Sequence, residues 1–187
     1  MSQADPPQLL GPDPIAAAQR DDGSPSNDDL ISAYESGPQQ LRDAVAGLTP
    51  EQLRARPVAG RWSTLGVVCH LADCEQFFAD RMKRTIATDR PLLFGAEGSR
   101  YPGPLHYHDR EVAEEIELVG VTRRQMARIL RLVEAGAWSR TAVHNETGLV
   151  TLRQLVLHAV RHQDHHLWFV AEKRRALGIP EAEGPGR

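Results

Sequence analysis

Only two cysteines occur in the 187 residues, Cys69 and Cys74. Both fall in one stretch of helical periodicity, where a separation of five residues turns them about 140° apart, so they cannot pair within that helix. A chain without a disulfide of its own suits a reducing compartment, and the cytoplasm is the expected location. Long apolar runs are missing too. None approaches the roughly 20 residues needed to cross a bilayer, and the first residues lack the basic-then-apolar order of an export signal. Nor is there an excess of positive charge. The formal net charge is −3, the pI is near 6.2 and no basic stripe is present. Nucleic acid and anionic membranes are therefore not expected partners. Internal repeats, strands of useful length, and Ser–His–Asp or Cys–His arrangements are absent as well.

What the chain has is histidine. Four of its eight fall at 158, 162, 165 and 166. That segment reads as helix, because apolar residues recur every three to four positions without Gly or Pro. Thr151 and Gln154 form a capping box at its start, and Gly178 with Pro180 marks its end. On a helical wheel Leu152, Leu155, Val156, Ala159, Gln163, His166, Leu167 and Val170 share one face, and His162 lies within it. His158 and His165 fall on the margin, while Arg161, Asp164 and Trp168 point away. Two imidazoles four residues apart are about 6 Å apart along the axis, close enough for both to reach one metal ion. They fit equally well as two hydrogen-bonded core histidines, and a third ligand from elsewhere would separate the two readings.

Along the chain, residues 1–28 are rich in Pro, Asp, Ser, Gly and Gln and are expected to form a disordered N-terminal arm. Order begins at the capping cluster Ser26-Asn27-Asp28, ahead of a first helix running through Leu41, Val45 and Leu48, with Gly37-Pro38 as an expected interruption. Thr49-Pro50-Glu51-Gln52 caps a short turn. Ser63 caps a second long helix that ends near Ile86, with the stripe Val67, Leu71, Cys74, Phe78 and Met82 and with His70 at its edge. Residues 88–108 are a long connection, of a length that is often functional. A third helix is expected over about 109–134, then a connection from Trp138 to Val150, and then the histidine helix. Residues 29–178 read as one all-α four-helix bundle and 179–187 as a flexible tail. Trp62 and Trp168 read as packing anchors.

A bundle can bring His70 opposite His162 and His166. Three neutral imidazoles would bind a divalent first-row ion and leave a position open, which is the catalytic pattern; structural zinc is closed by four ligands. Imidazole alone does not choose among Zn, Ni, Fe and Mn. Cys74, one turn from His70, is a less favoured sulfur ligand.

Arg61-Trp62-Ser63, then His70-Leu71-Ala72-Asp73 with Glu75 and Arg81, then Thr151-Leu-Arg-Gln-Leu followed by His162-x-x-His165-His166, together resemble the DinB-like (YfiT-like) superfamily over about residues 29–178. The resemblance implies a four-helix bundle with a metal held by His70, His162 and His166. It also implies metal-dependent hydrolase or thiol-dependent S-transferase activity, and often a homodimer. The expected partner is a small-molecule substrate, with a low-molecular-weight thiol for the transferase reading. Asp73, one turn after His70, is a candidate to accept that ring's distal N–H or to act in catalysis, and His158 is a candidate proton relay. Glu75 and Arg81 also fit helix–helix salt bridges, and His106, His108 and His144 lie in connections that could close over the site. Two other readings remain: a non-catalytic stress or scaffold protein stapled by its metal, and a DNA-damage partner, which the acidic balance disfavours.

Overall fold

The structure is a computed structural model that describes residues 24–180. The expected arm up to residue 23 and the tail from residue 181 lie outside the described residues. Helix α1 (Asn27–Val45) opens on a capping box, in which the Asp29 N–H donates to Ser26 Oγ at 3.2 Å. A short α2 (Pro50–Arg54) follows, capped by Thr49 and Gln52. Helix α3 (Thr64–Ala87) starts where Ser63 Oγ accepts from the Gly66 N–H at 3.0 Å. Helix α4 covers Val112–Leu132. Helix α5 (Leu152–Ala176) carries the Thr151–Gln154 capping box and stops just before Gly178, whose φ is +69°. The starts of α1, α2, α3 and α5 each have an orphan N–H group met by a nearby side chain, which is why these boundaries follow from local sequence, whereas α4 has no such cap.

The four long helices pack in a ring. Helix α1 contacts α4 and α5, and α3 contacts the same two, so α1 lies diagonal to α3. Leu30, Tyr34, Met82, Met126, Leu130 and Val156 share one core cluster, and Leu41, Val67, Val68, Val119 and Val170 share a second. No helix among the described residues is long and apolar enough to cross a membrane.

Two expectations fail here. The interruption at Gly37-Pro38 does not occur, and α1 runs through both residues. A proline removes the N–H that would bond the carbonyl four residues back. That carbonyl belongs to Tyr34, and the Arg123 guanidinium donates to it at 3.2 Å instead. Glycine at 37 makes room for this, because a Cβ there would lie 2.1 Å from Arg123 Nη1. The same guanidinium donates from Nε to Glu75 at 2.7 Å, and Tyr34 Oη donates to the other Glu75 oxygen. Glu75 is therefore part of a helix–helix salt bridge, as its charge allowed. Its partner Arg123 is 2% exposed, so the pair is held out of water.

The second is the expectation of no strands. Leu92–Leu93 (β1), Thr141–His144 (β2) and Gly148–Thr151 (β3) form a small sheet in that order, with β1 parallel to β2 and β2 antiparallel to β3. Strands of two to four residues are too short to show an alternating pattern. The β1–β2 pairing also joins residues about fifty positions apart, Leu92 with Val143, so no local signal announces it. The sheet ties the two connections together at one end of the bundle.

Arg123→Met should destabilise the protein by about 3–5 kcal/mol in urea unfolding, because it leaves the Glu75 carboxylate buried without its cation. The double variant Glu75→Leu/Arg123→Met should recover part of that loss. A single-variant loss under about 1 kcal/mol would show that the pair is not a structural constraint.

Candidate metal centre

His70 projects from α3, and His162 and His166 project from α5, one turn apart. Donor atoms of all three lie within 4.8 Å of one another. Nε2 of His70 is 3.3 Å from Nε2 of His162. Ring centroids are separated by 5.2 Å for His70–His162, 4.7 Å for His70–His166 and 4.5 Å for His162–His166. This convergence follows from the ring of helices, since α3 and α5 are direct neighbours and the pair on α5 shares the buried face.

Burial sets the protonation. It lowers the pKa of His70 to about 4, with the nearby Asp73 charge partly opposing the shift. His162 and His166 are also held well below the usual histidine value, first by burial and then by the neighbouring imidazoles. All three rings are therefore neutral at pH 7, and each offers a lone pair. Nδ1 of His166 is buried without a hydrogen-bond partner. Three neutral nitrogen donors that converge, one of them with an orphaned ring nitrogen, suit a divalent cation better than a protonated core.

The walls are mostly apolar. Trp62 packs 5.0 Å from the His70 ring, and Phe78 stands edge-on to His162 at 5.4 Å. Cys74 Sγ lies 3.6 Å from His70 Nε2, but its thiol is pushed up to about 12 by burial and stays protonated. Cys69 is set apart, with Sγ donating to the Tyr107 carbonyl at 3.6 Å. Gly98, in a 3-10 turn of the long connection (Gly98–Arg100), backs directly onto His70.

The other expected site residues are placed differently. Asp73 does not turn to His70. It accepts from Tyr107 Oη at 2.7 Å and from Arg110 Nη1 at 3.1 Å, because the connection after Gly98 folds back over α3 and brings both donors to it. His158 is half-buried and edge-on to Phe78 at 4.9 Å, with its ring centroid 6.1 Å from that of His162. It flanks the convergent set without joining it. His165 packs against Phe169 at 4.8 Å and also lies outside the set. Arg81 donates to the Phe94 carbonyl, and it pairs with no carboxylate among the described residues. His144 is buried in β2, while His106 is exposed and His108 meets Arg56, its Nε2 2.9 Å from Nη2. Trp62 is the buried anchor expected, but Trp168 is 57% exposed. Gly98, Tyr107 and Arg110 are the site-supporting residues that no motif marked. The one sequence signal for them was the unusual length of their connection.

Comparison with known proteins bears on the family and the fold. The family model described as the DinB superfamily matches residues 33–170. "Putative metal-dependent hydrolase YfiT" of Bacillus subtilis is 24% identical over 152 residues, covering 81% of this chain and 85% of that protein. A protein of Oceanobacillus iheyensis, also named a "Putative metal-dependent hydrolase", is 24% identical over 137 residues, covering 73% of this chain and 79% of its own length. The solved structure of YfiT, described as a four-helix bundle of unusual topology, superposes with a TM-score of 0.78 over 84% of this chain and 90% of its own, at 23% identity. The family model spans well over half of the chain, and this chain belongs to the DinB superfamily.

Proposed function

We propose that the protein is a metal-dependent hydrolase of a small-molecule substrate, with the ion held by His70, His162 and His166. One observation carries this reading: among the described residues, the converging donor group consists of three histidines, with no carboxylate or thiol completing a fourth position. Three protein ligands with a remaining position is the catalytic pattern, whereas a purely structural ion is normally closed by four. The relatives named for metal-dependent hydrolysis support the same reading. Imidazole ligation is compatible with Zn, Ni, Fe or Mn.

A divalent ion bound here would supply Lewis acidity and lower the pKa of a water or thiol brought to it. The chain's own residues would prepare that chemistry in three ways. The neutral rings add no negative charge, so the ion's charge stays uncompensated by its ligands. Trp62 and Phe78 keep bulk water from the ring edges. His158, held by Phe78 at the flank, is the candidate proton acceptor. Transfer to a low-molecular-weight thiol needs the same activated nucleophile, so it is an extension of this site rather than a separate one.

Metal analysis of the purified protein should find about one ion per chain. His162→Ala and His166→Ala should each remove most of it, and His165→Ala should leave it near the wild-type level, because only the first two belong to the convergent group. Equal loss in all three variants would reject this ligand set.

Cobalt-loaded protein tests catalysis. Its visible spectrum should shift between about pH 6 and 9, and again on adding a small thiol, as an exchangeable position requires. A spectrum indifferent to both would mean a closed shell and a metal that only staples the bundle.

A further inference from the structure

Two cations stand over one aromatic ring next to the centre, and the function proposed above gives neither of them a role. Arg61 lies just ahead of the Ser63 cap of α3, and its Cζ is 4.5 Å from the centroid of the Phe169 ring on α5. Lys173, one turn further along α5, has its Nζ 5.5 Å from the same centroid. That ring is in turn 5.9 Å from the ring of His166 and 4.8 Å from that of His165. An aromatic face attracts cations, so Phe169 holds both charges at the edge of the histidine cluster.

Lys173 is the more unusual of the two. It is 0% exposed, and its ammonium donates to the Phe169 carbonyl at 3.1 Å, with no carboxylate paired to it among the described residues. A lysine is almost never fully buried without a paired charge. Burial lowers its pKa to about 8, so most of it still carries a proton at pH 7.

The carboxylates nearby leave this charge unbalanced. Asp73 is already matched by Arg110. Glu172 Oε2 stands 4.0 Å from Arg61 Nε, beyond hydrogen-bond reach, and is buried with no hydrogen-bond partner. A further donor is unspent beside the centre: Trp62 Nε1 is buried without an acceptor, and the Trp62 ring packs 5.0 Å from His70. The three histidines bring no negative charge of their own, so an ion bound to them would add to this excess.

We infer that the substrate of this centre is a carboxylate: its anionic end binds the Arg61 guanidinium beside Phe169, reinforced by the buried charge of Lys173, while its reacting group lies at His70, His162 and His166. The inference rests on the metal-dependent reading above and adds the substrate class to it. Arg61 is half-buried and so within reach of a ligand, and its planar fork suits a carboxylate. Lys173 needs no contact, because a charge held out of water acts through its field.

Two thiols of the same chain length, mercaptopropionate and mercaptopropanol, separate the carboxylate contact from the metal contact. Each is titrated into the cobalt-loaded full chain at low ionic strength and followed in the visible spectrum. The charged thiol should bind the wild type at least about tenfold more tightly than the neutral one. Arg61→Gln should bring the two within about twofold, and Lys173→Met should cut the preference roughly threefold, both with cobalt content unchanged. Lys173→Met keeps the side-chain volume and removes a buried charge, so it should fold. Arg131→Gln is the control: it removes the same charge from an exposed pair with Glu35 on α1, and should leave the preference as it was. Equal affinities in the wild type overturn the inference and leave the metal centre intact, even if Arg61→Gln fails to fold. So does a preference that survives Lys173→Met and Arg61→Gln, or one that Arg131→Gln reduces equally. A spectrum that neither thiol moves rejects the metal-dependent reading itself, and the carboxylate site falls with it.

Discussion

One guanidinium touches all four long helices. Arg123 extends from α4, pairs with Glu75 on α3, donates to the Tyr34 carbonyl on α1, and reaches the Ala159 carbonyl on α5 at 3.4 Å. A buried charge is tolerated only where every donor has a partner, so the helices cannot slide past one another without stranding it. Glu75 and Ala159 lie close along their helices to His70 and His162. The register that satisfies Arg123 is thus the register that brings the histidines face to face. Pro38 belongs to the same arrangement, since the N–H it lacks leaves free the carbonyl that Arg123 needs.

Beside this ionic layer the bundle holds a layer of the opposite character. His70 and His166 are buried and His162 is half-buried, none of them paired with a carboxylate, and removal from water keeps all three neutral. Such a group is poorly satisfied by its own members, because rings that meet nitrogen to nitrogen cannot all donate and accept at once. A cation uses the lone pairs that hydrogen bonding leaves over. The apolar wall of Trp62 and Phe78 and the high-pKa thiol of Cys74 preserve that neutrality, which distinguishes this interior from an acidic metal cage.

The long connection after α3 connects fold and site. It pairs with the second connection through the sheet, and it is fastened to α3 by Arg81 and Asp73. Residues that look from sequence like catalytic carboxylates or free cations are here spent on holding backbone. This is a reasonable use for them: the backbone that approaches His70 at Gly98 keeps its place only when the chain on either side is fixed.

How much of this was legible in the sequence depends on the range of the interaction. Helix starts at Ser26, Ser63 and Thr151 were readable, because a capping side chain meets an N–H only two or three residues away. That His162 and His166, rather than His158 and His165, converge with His70 was readable too, since a 3.6-residue period decides which side chains share a face. What only the tertiary structure decided lies in contacts that skip many residues. These include the continuity of α1 through Pro38, made possible by an arginine 85 positions later, and the sheet joining Leu92 to Val143. They also include the engagement of Asp73 by Tyr107 and Arg110, and the approach of Gly98 to His70. Local periodicity and capping carry no information about such meetings, because the partners become neighbours only once the chain has closed into the bundle.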